Sequence, residues 1–148
     1  MRGEGTHDDK AGACRCLARC YHALGMRNEE RRALLRGFDH GPPRPELCCD
    51  LGGFFFEEGD FRTAIFWYKL AVNVRRSEAG AAFVCPDCGG FIPYLGLCAC
   101  YDRLGQHERA RRFNSLAAKL KPYDEVCRRN EAYFKKILRK EGEKDEKP

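Results

Sequence analysis

Apolar residues along this 148-residue chain recur at helical rather than strand spacing. Cys14, Leu17, Ala18 and Tyr21 follow one another in steps of three, one and three, which places all four on one helical face. The run Ala64–Val72, AIFWYKLAV, is apolar nearly all round and predicts a helix sandwiched between neighbours. Val126, Tyr133, Phe134 and Ile137 mark a last amphipathic helix. Glycine and proline supply the punctuation. Gly25, Gly59 and Gly105 each end a periodic segment, and Pro42 and Pro122 each stand seventeen residues after such a glycine, where a proline stops a following helix. Pro45 and Pro93 fall in first helical turns, where the missing N–H costs nothing. Asn28, Asp60 and Asp124 are the expected N-caps, and Glu29 and Glu30 favour the positive end of their helix.

The segments repeat. Gly25 and Gly59 are 34 residues apart, and Gly59 and Gly105 are 46 apart, twelve more. Eight residues before each glycine stands a leucine: Leu17, Leu51 and Leu97. Seven before stand the small residues Ala18, Gly52 and Cys98, and four before the aromatics Tyr21, Phe55 and Tyr101. Five after, Ala64 and Ala110 match, and Glu30 departs. Small residues let two helices approach closely, and the aromatic fills the space beside them. A 34-residue period of helix–turn–helix units is that of tetratricopeptide repeats. The predicted fold is therefore all-α, a helix–turn–helix solenoid with repeats at 11–44, 45–78 and 91–123 and an insertion at 79–90. A capping helix at 124–140 covers the open end of the stack. Residues 1–10 and 141–148 are expected as disordered tails.

Composition narrows the function. A net charge of +5 with mixed signs gives no one-sided basic stripe, so nucleic acid is not an expected partner. No apolar run approaches the roughly 18 residues that span a bilayer. The start, MRGEGTHDDK, has no apolar signal core, which makes the expected location cytoplasmic. Ten cysteines without an export signal are expected to be reduced, and Cys14, Cys20, Cys48, Cys98 and Cys100 act as small hydrophobes inside helices.

The sharpest local motif is Cys85-Pro-Asp-Cys88-Gly-Gly. Such a knuckle is half of a zinc-ribbon site, because its tight turn aims two thiolates at one metal. The second half is missing: Cys98 and Cys100, two apart on a helix, point to different faces, and His107 lies past the next turn. Three readings stay open: a loop with reduced thiols, which is favoured, a zinc site at Cys85 and Cys88, and a redox pair. No cofactor is otherwise expected. No catalytic constellation stands out; there is no phosphate loop, HExxH, GxSxG or DxD, and the four histidines are scattered. A non-catalytic module is expected, with a protein or peptide partner held in the groove lined by the first helix of each repeat. Helical geometry projects Arg15, Arg19 and His22, then Cys49, Phe56 and Glu57, then Leu95, Asp102 and Arg103 into that groove.

Several longer stretches carry a more particular likeness: CRCLARCYHALG (Cys14–Gly25), PRPELCCDLG (Pro43–Gly52), AIFWYKLA (Ala64–Ala71), CGGFIPYLGLCACYDRLG (Cys88–Gly105), AAKLKP (Ala117–Pro122) and NEAYF (Asn130–Phe134). Together they resemble the C-terminal tetratricopeptide region of a group of bacterial family 2 glycosyltransferases, over about Asp9 to Leu138. In that group the repeats follow a GT-A domain that transfers a sugar from a nucleotide donor through a DxD motif. This sequence has no such domain and starts where the repeats are already under way, so the resemblance carries no catalytic residue onto it. What it implies is a partner: a detached or truncated part of a sugar-transferring enzyme would act beside a separate GT-A catalytic domain.

Overall fold

The computed structural model describes residues 7–74 and 85–146. Among these, seven α-helices and no strand are present: α1 (His7–Ala23), α2 (Arg27–Arg36), α3 (Pro45–Glu57), α4 (Phe61–Asn73), α5 (Phe91–Arg103), α6 (His107–Leu120) and α7 (Glu125–Asp145). Two one-turn 3-10 segments, Gly37–His40 and Pro86–Gly89, follow α2 and precede α5. Helices pack chiefly on their neighbours in sequence, α1 on α2, α3 on α4 and α5 on α6, with α4 on α5 and α6 on α7 joining the pairs.

The turn inside each pair follows from its glycine. Gly25, Gly59 and Gly105 have φ of 69°, 78° and 72°, the left-handed region that other residues rarely enter. The next residue in each repeat, Met26, Asp60 or Gln106, is the N-cap of the second helix. Only Asp60 caps with its side chain, accepting from Thr63 N–H at 3.1 Å. That register also moves the first cap off Asn28: α2 starts at Arg27, so Asn28 lies in its first turn. Asp60→Ala is expected to cost about 1 kcal/mol, read as a lower midpoint in thermal unfolding, with Met26→Ala nearly neutral.

Packing uses the small positions as their spacing foretold. Ala18 and Cys98 are buried, and Gly52 lies against the ring of Tyr68. Tyr68 enters from α4 and is pinched between Gly52 of α3 and Gly96 of α5, where any added Cβ would run into its ring. This ring joins repeats two and three in a core with Leu97, Cys100, Tyr101, Ala110 and Phe134. Burial pushes its phenol pKa up.

Several expectations shift at the ends. Helix α1 begins at His7, inside the stretch expected as a tail, and residues 1–6 lie outside the described residues. Of the insertion at 79–90, only 85–90 are described. Helix α7 runs to Asp145 rather than stopping near Lys140, supported by i,i+4 pairs such as Arg139–Glu143 at 3.4 Å. Its buried face is Cys127 and Phe134, while Val126 and Tyr133 are exposed, so α7 is turned relative to the face its apolar pattern suggested. Phe66 of α4 is 59% exposed, so that helix is covered on most sides but not all.

Candidate functional site

The first helices of the repeats are tied together by side chains from their last turns. His22 Nδ1 lies 3.7 Å from a Glu57 carboxylate oxygen, joining α1 to α3. The Arg103 guanidinium of α5 lies over the Phe56 ring of α3, 5.6 Å from its centroid. The Tyr133 hydroxyl of α7 donates to Asp102 of α5 at 3.0 Å. All five residues from α1, α3 and α5 stand two or three places before a turn glycine, so one repeat register brings them to one face. Helix α7 extends that face as the first helix of a fourth repeat would. Of the nine residues projected into the groove, His22, Phe56, Glu57, Asp102 and Arg103 therefore converge.

The others fare differently. Arg15 reaches across to α3 and pairs with Asp50 at 2.5 Å. Burial works against its charge, but the hydrogen bond and charge of Asp50 outweigh that and raise the guanidinium pKa. Arg19 is exposed, with no ion pair among the described residues. Leu95 is half-buried. Cys49 is covered rather than open, at 7% exposure. The Cys85–Cys88 turn docks on it: the Cys49 thiol donates to the Cys88 carbonyl at 3.2 Å, and the Cys85 N–H donates to Glu46 at 3.1 Å. Arg19 and Arg103 are thus the two projected cations with no carboxylate partner among the described residues.

Sequence reasoning missed the residues that hold the face together. Arg27 pairs with Glu30 at 2.6 Å, Glu57 at 3.2 Å and Glu58 at 2.7 Å, and its guanidinium lies over Phe54. These carboxylates outweigh desolvation and raise its pKa. His107 pairs with Glu141 at 2.6 Å and faces Asp102 at 3.6 Å. Phe61 stacks edge-on against Phe56 under Arg103. Arg27, Phe61 and His107 each stand two residues after a turn glycine, so the repeat register held the signal that this position reaches the next first helix.

The knuckle thiols form a separate cluster with Cys48, Cys49 and Ala71 at the joint of α3, α4 and the 3-10 turn. Hydrogen bonding from the Cys49 thiol, aided by Cys85, holds Cys88 down to about 7, while Cys49 and Cys85 are pushed up as the donors. No group of three or more His, Cys, Asp or Glu among the described residues is placed to hold a metal ion.

No protein-family model matches the sequence, and no curated protein matches it. Among solved structures, the chain is similar to the first tetratricopeptide repeat domain of Spaghetti (RPAP3) bound to the HSP90 peptide SRMEEVD. That likeness has a TM-score of 0.73 at 20% identity and covers 88% of this chain and 97% of the other. The fold is an all-α tetratricopeptide-repeat solenoid. No helix among the described residues is long and apolar enough to cross a membrane.

Proposed function

We propose that the chain is a non-catalytic module that binds a peptide segment of a partner protein on the face of α1, α3 and α5. The observation that carries this reading is the contrast along that face. Most of its charges are already matched across repeats, whereas two exposed cations, Arg103 over the half-buried Phe56 and Arg19 on α1, have no carboxylate partner among the described residues. Two such cations, one of them against an aromatic, suit an extended peptide with acidic side chains around an apolar one. The peptide held by the structural neighbour, SRMEEVD, is of that kind. Selection of a displayed peptide library on the full chain tests the idea. Enrichment of acidic sequences with an apolar residue between carboxylates is expected; recovery of no motif, or of basic motifs, contradicts it.

A second reading is favoured by the open end of the stack. Leu51 and Leu97 are 0% and 1% exposed, but Leu17, at the same repeat position, is 42% exposed, near Leu35 at 42%. Such a face fits a preceding helical element, which the resemblance to family 2 glycosyltransferases would place in a partner or a separate catalytic domain. On that reading the chain self-associates at high concentration through this apolar face, and Leu17→Glu returns it to monomer. Light scattering coupled to size exclusion decides, and a wild-type monomer at high concentration sinks it.

A further inference from the structure

Cys85 and Cys88 take no part in the peptide-binding reading, yet they are placed with care. They bracket one 3-10 turn that packs on α3, α4 and α5. The Cys88 N–H donates to the Cys85 carbonyl at 3.1 Å. A turn closed in this way keeps its end Cα atoms within about 7 Å. A disulfide spans Cα separations of about 4.4–6.8 Å. Both residues pack in one cluster with Cys48, Cys49 and Ala71. The Cys49 thiol, from α3, donates to the Cys88 carbonyl at the end of that turn. No set of three or more His, Cys, Asp or Glu among the described residues is placed around a metal ion. Two cysteines held in one closed turn are the arrangement that disulfide chemistry needs. The turn lies at the surface at Cys85, which is half-buried, and at Pro86, which is exposed, with Cys88 beside them at 4% exposure.

We propose that Cys85 and Cys88 form a redox modification site whose substrate is a hydroperoxide, with Cys49 as the thiol that positions Cys88. The Cys88 thiolate attacks one peroxide oxygen; the O–O bond breaks, and the leaving hydroxide takes a proton to become water. Cys88 is then a sulfenic acid. The Cys85 sulfur attacks the Cys88 sulfur, the S–O bond breaks, and the departing hydroxide leaves as water with the Cys85 proton. Two thiols and one hydrogen peroxide give one disulfide and two waters. The new bond stays inside a single turn, so the solenoid keeps its fold while Cys88 withdraws from Cys49.

The test uses the full chain carrying Cys16→Ser and Cys20→Ser, two exposed positions whose thiols would otherwise link separate chains. It is treated with hydrogen peroxide at a dose that just oxidises an added cysteine-containing peptide. The expected result is a mass loss of two hydrogen atoms per chain, a Cys85–Cys88 crosslink in the peptide map, and an unchanged far-ultraviolet circular dichroism spectrum. In the further variant Cys85→Ser, at a half-buried position, the link is expected to move to Cys49–Cys88. The proposal is overturned if Cys85 and Cys88 both stay open to alkylation at that dose. It is equally overturned if the Cys85→Ser variant forms no Cys49–Cys88 link and leaves Cys88 open to alkylation at that dose.

Discussion

Gly96→Ala is expected to destabilise the solenoid by about 3 kcal/mol, the upper part of the range for overpacking a filled core. The ring of Tyr68 occupies the space an alanine methyl at this position would need. Relief by moving the ring is blocked on its other side, where a Cβ built on Gly52 would come to 2.7 Å of Tyr68 Cε1. Tyr68 is 8% exposed and shares its core with Leu97, Tyr101 and Phe134, so a shift of the ring disturbs the joint between repeats two and three. Urea unfolding measures the loss. A change below about 1 kcal/mol would mean the ring has room that its packing denies. Gly53→Ala on the same helix is the control, since a Cβ there comes no nearer than 3.8 Å to the Tyr68 hydroxyl, an ordinary contact.

Asn114→Ala is expected to cost about 2–3 kcal/mol and to loosen α7 before the rest unfolds. Asn114 is 1% exposed, the most deeply buried of the few buried polar side chains. Its amide donates to the Cys127 carbonyl at 2.9 Å and its oxygen accepts from Asn130 at 3.0 Å. These two bonds fasten the first turns of α7 to α6. Truncation leaves both α7 groups without their partner in a buried place, and that lost pairing is the larger part of the cost. Hydrogen exchange should show faster opening across 125–145 than across α3 and α5. Uniform acceleration along the whole chain would mean that α7 is not fastened separately.

What the sequence disclosed and what it hid divide along a physical line. The turn glycines, the small residues at Ala18, Gly52 and Cys98, and the cap at Asp60 are local requirements of φ, of close approach and of an orphan N–H, so each leaves its mark at a fixed offset. The face was half legible. Helical projection brought His22, Phe56, Glu57, Asp102 and Arg103 to one side because they share a register. It placed Cys49 there too, since projection treats every first helix as open, and the Cys85–Cys88 turn that covers Cys49 comes from a distant part of the chain. Arg27, His107 and Tyr133 escaped because their partners sit on the neighbouring repeat or on α7, 30 or more residues away in sequence. Helix α7 kept its apolar pattern but buries Cys127 beside Phe134 in place of Val126 and Tyr133, because the surface that α6 and α5 offer, including Asn114, fixes its rotation.

The central claim is that Arg19 and Arg103 receive the acidic side chains of a peptide on the face of the first helices. The direct measurement is titration of the best library-selected peptide against the wild-type chain and against the double variant Arg19→Glu/Arg103→Glu, by fluorescence anisotropy at two salt concentrations. Both arginines are exposed, and the variant gives up only the Arg103 contact over Phe56 and Phe61, so it should melt within a few degrees of the wild type, about 1 kcal/mol. The account predicts a Kd weakened by about 100-fold, about 1.4 kcal/mol for each reversal, and a wild-type affinity that falls as salt rises. An affinity that neither the reversals nor the salt changes would contradict it and move the binding surface elsewhere on the solenoid.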